Sequence, residues 1–373
     1  MISFKKAKHL ASMHGTPLLV YSNNDIIRQY SLLAKNMDSV DMYYAVKANP
    51  YKRIIETLYS LGSGFDIASV GEIQHLKNIL KNKFKRLCPD RILYTHPIKK
   101  EEEIEFAVRS GVRWFVLDNK YEIRKFRNVK KKVSILVRIS ILNPDAVVNL
   151  SYKFGCEPKD SINLIKKCIQ SGLSVRGVCF HVGSQNLNSY KYIEALEHVR
   201  EIFSICALSG INLDTIDIGG GFPVDYIYKV IPVSSLCLPI AEYIEKYLSG
   251  FTIAAEPGRF ISAPAFTLIT SVIGKAKRKG IWWYYIDDGL YGSFSGKVFD
   301  HSDYMLLTDK KGSVQNSIIA GPTCDSFDIV YKNVSLPEMN IGDMLVFPVM
   351  GAYTSATATE FNLVSKAKII KLD

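Results

Sequence analysis

Between residues 40 and 257 short apolar runs alternate with longer stretches in which apolar residues return every three or four positions. The short runs are rich in β-branched and aromatic residues, the pattern of parallel strands, whereas the three-and-four spacing is that of helices with one buried stripe. Eight runs read as strands: "VDMYYAV", "GFDIA", "RILYT", "VRWFVLD", "VSILVRIS", "VRGVCFHV", "DTIDIGG" and "TIAAEP". The stretches between them include "YKRIIETLYSLG", "VGEIQHLKNILK", "KKEEEIEFAVRSG", "KDSINLIKKCIQSG" and "SYKYIEALEHVREIFSICALSG", several closed by Gly as helix ends often are. Eight βα units close a (β/α)8 barrel, so the fold class is α/β with a TIM barrel.

The rhythm changes after Ile261. "FTLITSVIGKAKRK", "IWWYYIDDGLYGSF", "SIIAGPTCDSFDIV", "GDMLVFPV" and "KAKIIKL" are strand-like runs joined by Gly, Pro and Asp turns. "TPLLVYS" near the start reads as one more strand. The expected organisation is a barrel over 26–262 and a β-sandwich or β-barrel domain over 263–373, completed by residues 1–25.

With 373 residues and 47% hydrophobic content the chain can bury cores for both. No apolar run approaches the ~18 to 20 residues of a membrane span, and "MISFKKAKHLASMHG" lacks the apolar centre of a secretion signal. The expectation is a cytoplasmic protein without a membrane partner. A net charge of +11 raises the question of nucleic acid, but the lysines are scattered through "KNILKNKFKR", "NVKKKVS", "KAKRKG" and "KAKIIKLD" without interleaved aromatics. They read as solvated lysines, and no nucleic-acid partner is expected. Cys88, Cys156, Cys168, Cys179, Cys206, Cys237 and Cys324 are odd in number, with no CxxC pair and no metal spacing, which fits reduced thiols and no metal. The first six read as small buried hydrophobes.

In a barrel the chemistry sits at the C-terminal ends of the strands. Those ends carry Lys47, then Asp66, Arg138, His181 with Ser184, Gly219 to Gly221, and Glu256 with Gly258 and Arg259. A triple glycine lets backbone amides approach an anion and the Arg of "EPGR" supplies a bidentate phosphate partner, although "GGG" alone would be a tight turn. His181 alone would be a core histidine; on a rim with a phosphate cup and a lysine it reads as a flat ring stacked on a planar cofactor. Glu256 follows the apolar "TIAA", so its carboxyl is poorly solvated and seeks a cation, either a structural Arg or Lys or a pyridinium nitrogen. A desolvated lysine, a phosphate cup, a stacking ring and an acid together define a site for pyridoxal 5'-phosphate.

The ordered motifs "YYAVKAN", "GFDIAS" with "GE", "LVRI", "LSYKFG", "FHVGS", "DIGGGFP", "AEPGRF", "YYIDDGLYGSF", "GPTCDSFD", "LPEMNIGDMLVF" and "GAYT" with "EFN" span nearly the whole chain. By them the chain resembles the fold-type III pyridoxal-phosphate decarboxylases, the ornithine/diaminopimelate/arginine decarboxylase family, and within it the ornithine-specific members. The resemblance implies that Lys47 is the Schiff-base lysine, His181 stacks on the ring, Glu256 faces the ring nitrogen, and Asp66 and Arg138 support ring and lysine. It implies phosphate contacts from Ser184, Gly220, Gly221, Gly258, Arg259 and Tyr353. Cys324 would protonate Cα after carbon dioxide leaves and, with Asp325, would come from the partner of a homodimer. Asp300 and Asp325 would bind the distal amine of the substrate, with Phe299 and Tyr291 beside it.

Two carboxylates suit a basic side chain and would repel the distal carboxylate of diaminopimelate. The implied reaction is decarboxylation of a basic L-amino acid, first of all L-ornithine to putrescine in polyamine biosynthesis, with lysine, arginine or a diamino-acid conjugate of a siderophore or antibiotic pathway as alternatives. Arginine-preferring members tend to carry Glu where this chain has Asp300. One methylene is worth only ~1 to 3 kcal/mol, and "LNPDAVVNLSYKFG", which sets pocket depth in the family, is no simple code. A non-catalytic homologue of the antizyme-inhibitor type would not need Lys47, His181, Glu256 and Cys324 together, and an alanine racemase would place an Arg at Glu256. Three departures stand out: Phe299 where Tyr is usual, "YTHPIKK" where Ala-Asn-Pro-Cys-Lys is usual, and an earlier C-terminus than eukaryotic members, so that no degradation tail is expected.

Overall fold

The computed structural model describes residues 2–87, 89–143 and 152–372. Cys88 and residues 144–151, which hold most of the segment tied to pocket depth and the Leu150–Ser151 start of "LSYKFG", lie outside the described residues. The chain divides into two compact units, Met1–Ile26 with Val224–Lys229 and Ile261–Asp373, and Ile27–Pro223 with Val230–Phe260. Val224–Lys229, which sequence analysis left within the barrel stretch, thus belongs to the other unit.

The first unit begins with a helix that strand patterning did not reveal, Phe4–His14, whose first turn is capped by Ser3 Oγ accepting the Lys6 N–H at 3.3 Å. Its apolar stripe is short: Ala7 and Leu10 bury against Leu18, Val20, Ile269 and Val346. Strand β1 (Leu18–Tyr21) follows. Its partners come from the far end of the sequence.

The second unit is the barrel. Strands β2 (Val40–Ala45), β3 (Gly64–Ile67), β4 (Ile92–Tyr94), β5 (Trp114–Leu117), β6 (Ser134–Arg138), β7 (Ser174–Cys179), β8 (Thr215–Asp217) and β9 (Thr252–Ala255) form a closed parallel ring in sequence order. Closure is made by β2 on β9, Val40 facing Ile253. Burial of Phe65, Ile67, Phe115, Val137, Val178, Ile216 and Ile253 explains why these runs are almost continuously apolar, since each faces barrel interior or helix layer. A Cβ on Gly177 would come within 1.7 Å of the Thr215 carbonyl oxygen, so β7 can approach β8 only without a side chain there. Helices Lys52–Ser60, Val70–Leu80, Glu101–Arg109, Pro158–Gln170, Ser189–Leu208 and Val233–Leu248 connect the strands.

The first unit resumes with β10 (Phe266–Arg278), β11 (Ile281–Ile286), β12 (Gln315–Ala320), β13 (Ile329–Leu336), β14 (Met344–Pro348) and β15 (Lys368–Lys371). Hydrogen bonds join them and β1 into one seven-stranded mixed sheet in the order β13-β12-β11-β10-β1-β15, with β14 also on β10. β10 pairs with β14 over Thr267–Ser271 and with β11 from Val272 onward, where the register shifts between Val272 and Gly274. One 13-residue strand, β10, thus serves two sets of neighbours and joins all the strands of this unit. β1 lies antiparallel to β10 and parallel to β15, so the N-terminal segment completes this unit.

Among the cysteines expected to be buried hydrophobes, Cys168, Cys179, Cys206 and Cys237 are buried and Cys156 is half-buried; Cys324 is exposed. Among the described residues no helix is long and apolar enough to cross a membrane.

Candidate active site

Strand β2 ends at Ala45, and the chain turns through Val46–Ala48, so Lys47 leaves the barrel wall at the strand's C-terminal end. Its Nζ stands 2.5 Å from Asp66 Oδ2, at the end of β3. The Asp66 side chain is fully buried while that of Lys47 is two-fifths exposed. The lysine is thus held by a carboxylate yet open on one side. Asp66 takes a second hydrogen bond, from Thr95 Oγ1 at the end of β4. Sequence analysis had not singled out Thr95.

Across the ring, β7 leads into His181 and Ser184. His181 Nδ1 accepts the Gly183 N–H at 3.0 Å, which leaves Nε2 as the protonated nitrogen of a neutral ring. Burial, reinforced by Arg138 and Lys47, holds its pKa well below the usual histidine value. A neutral ring stacks on a cofactor without adding charge to it. Arg138 closes β6, half-buried, with its guanidinium 5.5 Å from the centre of the Phe154 ring.

The triple glycine after β8 is required sterically. Gly219 and Gly221 have φ of +68° and +111°. A Cβ on Gly220 would lie 2.7 Å from the Glu256 carbonyl oxygen and 3.2 Å from His181 Nε2, and one on Gly221 would lie 2.6 Å from the Gly183 carbonyl oxygen. Tyr192, buried on the helix Ser189–Leu208, donates its hydroxyl to the Gly220 carbonyl at 2.8 Å and so fixes the loop from behind. Beside it Arg259 Nη2 donates to Ser184 Oγ at 2.7 Å. Gly258 packs so tightly that a Cβ would come 2.9 Å from Ala48 Cβ, one residue beyond Lys47. Glycine amides, a hydroxyl and a buried guanidinium form a donor set suited to a phosphate.

Glu256, at the end of β9, is buried, and burial first, then the nearby Asp217 and Asp66, push its carboxyl well above the usual range. Asp217 is pushed up to about 6 by burial, while hydrogen bonds to Glu256 and to the Gly219 N–H oppose the shift. Two carboxyls in one apolar site share a proton because both cannot ionise. Sequence analysis missed Asp217; the signal was a carboxylate inside the apolar run "TIDI", two residues before the glycines. It missed Glu72 likewise, half-buried, accepting the Ala68 N–H at 2.6 Å and raised to about 7 chiefly by burial.

Lys47, Asp66, Arg138, His181, Ser184, Gly220, Gly221, Glu256, Gly258 and Arg259 thus all lie at the strand ends of the barrel unit. The remaining candidates belong to the β unit. There Tyr291 donates its hydroxyl to Asp325 Oδ2 and stacks on Phe361 at 4.5 Å between ring centres. Asp325 Oδ1 accepts the Phe327 N–H at 2.9 Å, which with the Tyr291 bond holds its pKa below the usual carboxylate value. Cys324, exposed, donates its N–H to Asn362 Oδ1 at 3.0 Å. Asp300 is buried and accepts the Ser302 hydroxyl at 2.7 Å, whereas Phe299 beside it is 63% exposed. Tyr353 sits in a left-handed backbone conformation, φ +53°, after Gly351.

A parallel barrel with a lysine, a phosphate cradle, a stacking imidazole and a buried acid at its strand ends is the framework of a barrel enzyme that uses pyridoxal 5'-phosphate. Residues 23–263 match the family described as pyridoxal-dependent decarboxylase, pyridoxal binding domain. The chain is 36% identical over 362 residues to the lysine/ornithine decarboxylase of Selenomonas ruminantium, covering 97% of this chain and 91% of that one. It is 34% identical to the ornithine decarboxylase of Rattus norvegicus over 91% of this chain and 76% of that protein. The lysine/ornithine decarboxylase of Vibrio vulnificus, solved with cadaverine, superposes with a TM-score of 0.93 at 39% identity over all of both chains. The chain belongs to the pyridoxal-dependent decarboxylase family and is a pyridoxal-phosphate-dependent amino-acid decarboxylase.

Proposed function

We propose that the chain decarboxylates a basic L-amino acid, L-ornithine first, giving putrescine and carbon dioxide. The observation that carries the reading is the Lys47–Asp66 pair at the ends of β2 and β3, with β2 next to the strand that leads to a buried Glu256, whose carboxyl burial pushes well above the usual range. Bound pyridoxal phosphate supplies an electron sink for the pair left on Cα when carbon dioxide departs. Lys47 Nζ would carry the cofactor. Asp66 keeps a cation at that nitrogen. Glu256, with Asp217 behind it, would hold a proton for the ring nitrogen, and His181 would cover one ring face. Ser184, Arg259 and the amides of Gly220 and Gly221 would hold the phosphate, together with Gly258 and Tyr353.

Asp300 and Asp325 would take the distal ammonium of the substrate, flanked by Phe299 and Tyr291, and Cys324 would return a proton to Cα. We assign Cys324 and Asp325 to the site of a second copy of the chain, which makes the active form a homodimer. Exposure of Cys324 and of Phe327, 61% accessible, supports this. Lysine is the second substrate favoured, because the Selenomonas and Vibrio relatives carry both substrates in their names and a single methylene discriminates weakly. Free thiols in the described residues fit the cytoplasm.

Purified protein loaded with the cofactor and offered ornithine, lysine, arginine and diaminopimelate, with evolved carbon dioxide as the readout, tests the assignment. Ornithine should be fastest, lysine next and diaminopimelate inert. Preference for arginine, or no release from any of the four by a yellow protein, would reject it.

A further inference from the structure

Asp66 is the most enclosed charged partner of the lysine at the strand ends, 1% exposed as a residue. A buried carboxylate stays ionised and aimed only if both its oxygens are occupied. Oδ2 faces Lys47 Nζ, and Oδ1 accepts the hydroxyl of Thr95. Thr95 is itself buried, 6% exposed, and its place is fixed by strand pairing: the Asp66–Leu93 and Ile67–Tyr94 registers of β3 and β4 continue into a hydrogen bond from the Thr95 N–H to the Ile67 carbonyl at 3.0 Å. Among the described residues the hydroxyl donates to Asp66 Oδ1.

We infer that Thr95 is a positioning residue that locks the Asp66 carboxylate so that Oδ2 stays on Lys47 Nζ and holds a proton there. This rests on Lys47 being the amine that carries the cofactor. Without the hydroxyl, Oδ1 loses its donor, the carboxylate is free to turn, and the positive charge at Nζ loses part of its support. The other charged and titratable groups facing the pair are Glu72 from the helix Val70–Leu80, Glu256 and Asp217 from β9 and β8, and His181 and Arg138 from β7 and β6. Among the described residues none of them is hydrogen-bonded to Asp66 Oδ1, so their contribution to the charge at Nζ is common to wild type and variant.

The test titrates the cofactor-loaded full chain from pH 6 to pH 10 and follows the visible absorbance band that reports the proton at Lys47 Nζ. Thr95→Val, which keeps shape and removes the hydroxyl, should lower the pH at which the band gives way to its near-ultraviolet form by about one unit. Thr95→Ser should restore the wild-type midpoint, and Thr95→Ala, which also removes the hydroxyl, should repeat the Val shift if Val misfolds. An unchanged midpoint in both Thr95→Val and Thr95→Ala, with the band still abolished by Lys47→Ala, overturns the role of Thr95 alone. Persistence of the band in Lys47→Ala overturns the assignment of Lys47, and this inference with it.

Discussion

Arg259 Nη2 donates to Ser184 Oγ at 2.7 Å, joining the segment after β9 to the segment after β7 across the intervening glycine loop. The pair can orient two donors on one anion before any anion binds. A charge-assisted hydrogen bond is worth about 1.5 to 3 kcal/mol, so Arg259→Ala should weaken cofactor binding by roughly 10- to 100-fold. Ser184→Ala should cost less. Equilibrium titration of cofactor-free protein with pyridoxal phosphate, read by absorbance, measures both; equal affinity in Arg259→Ala would remove it from the phosphate site.

Gly258 offers a steric test of the same region. Its added Cβ would sit 2.9 Å from Ala48 Cβ and 3.1 Å from Ala45 Cβ, the residues that frame the Lys47 turn. Overpacking of this kind costs about 1 to 3 kcal/mol. Gly258→Ala should therefore lower stability to denaturant by that amount and displace Lys47, slowing cofactor attachment. A variant of wild-type stability that attaches cofactor at the wild-type rate would show that the turn has room to move.

The buried carboxyls set a pH dependence. Asp217 is raised to about 6 and Glu72 to about 7, chiefly by burial, from ordinary values near 4. Both hold protons more tightly folded than unfolded, so the folded chain carries more protons between about pH 4 and pH 7 and loses stability as pH rises through that window. For cofactor-free protein, urea unfolding at pH 5 and pH 8 should differ in this sense by no more than about 3 kcal/mol per group. Glu72→Gln should flatten its share. Stability that rises over the same interval would contradict the burial of these groups.

Cys324 and Lys47 provide the test of subunit sharing. Cys324→Ala should bind cofactor normally yet release little normal amine product, because the proton for Cα is missing. Mixing it with inactive Lys47→Ala protein should restore up to about a quarter of wild-type activity, since random pairing of two such chains yields half mixed dimers with one intact site each. No restoration under conditions where subunits exchange would place all the machinery within one chain.

The alternation of apolar runs with helical stripes was sufficient to count the barrel strands, since strands covered on both faces must be apolar almost throughout, as β5 and β9 are. The strand ends were legible too. A lysine after "YYAV" and an acid after "TIAA" are costly in those surroundings and so point to chemistry. Less legible was the helix Phe4–His14, whose stripe is only Ala7 and Leu10 among lysines and histidines. The change of partner along β10, from β14 over Thr267–Ser271 to β11 from Val272 onward, left no signal, because pairing partners come from distant parts of the sequence.

By itself the sequence determined the barrel and the cofactor class and proposed the side chains to hold it, because periodicity and residue chemistry are local properties. Only the tertiary structure decided which carboxyls share a site. Asp217 and Glu256 are separated by a helix and a strand in sequence, as Thr95 and Asp66 are, and they meet because parallel strands deliver their C-terminal ends to one rim. Desolvation and charge coupling act over distance in space, so the raised carboxyls of Glu256 and Asp217 are a property of the closed ring.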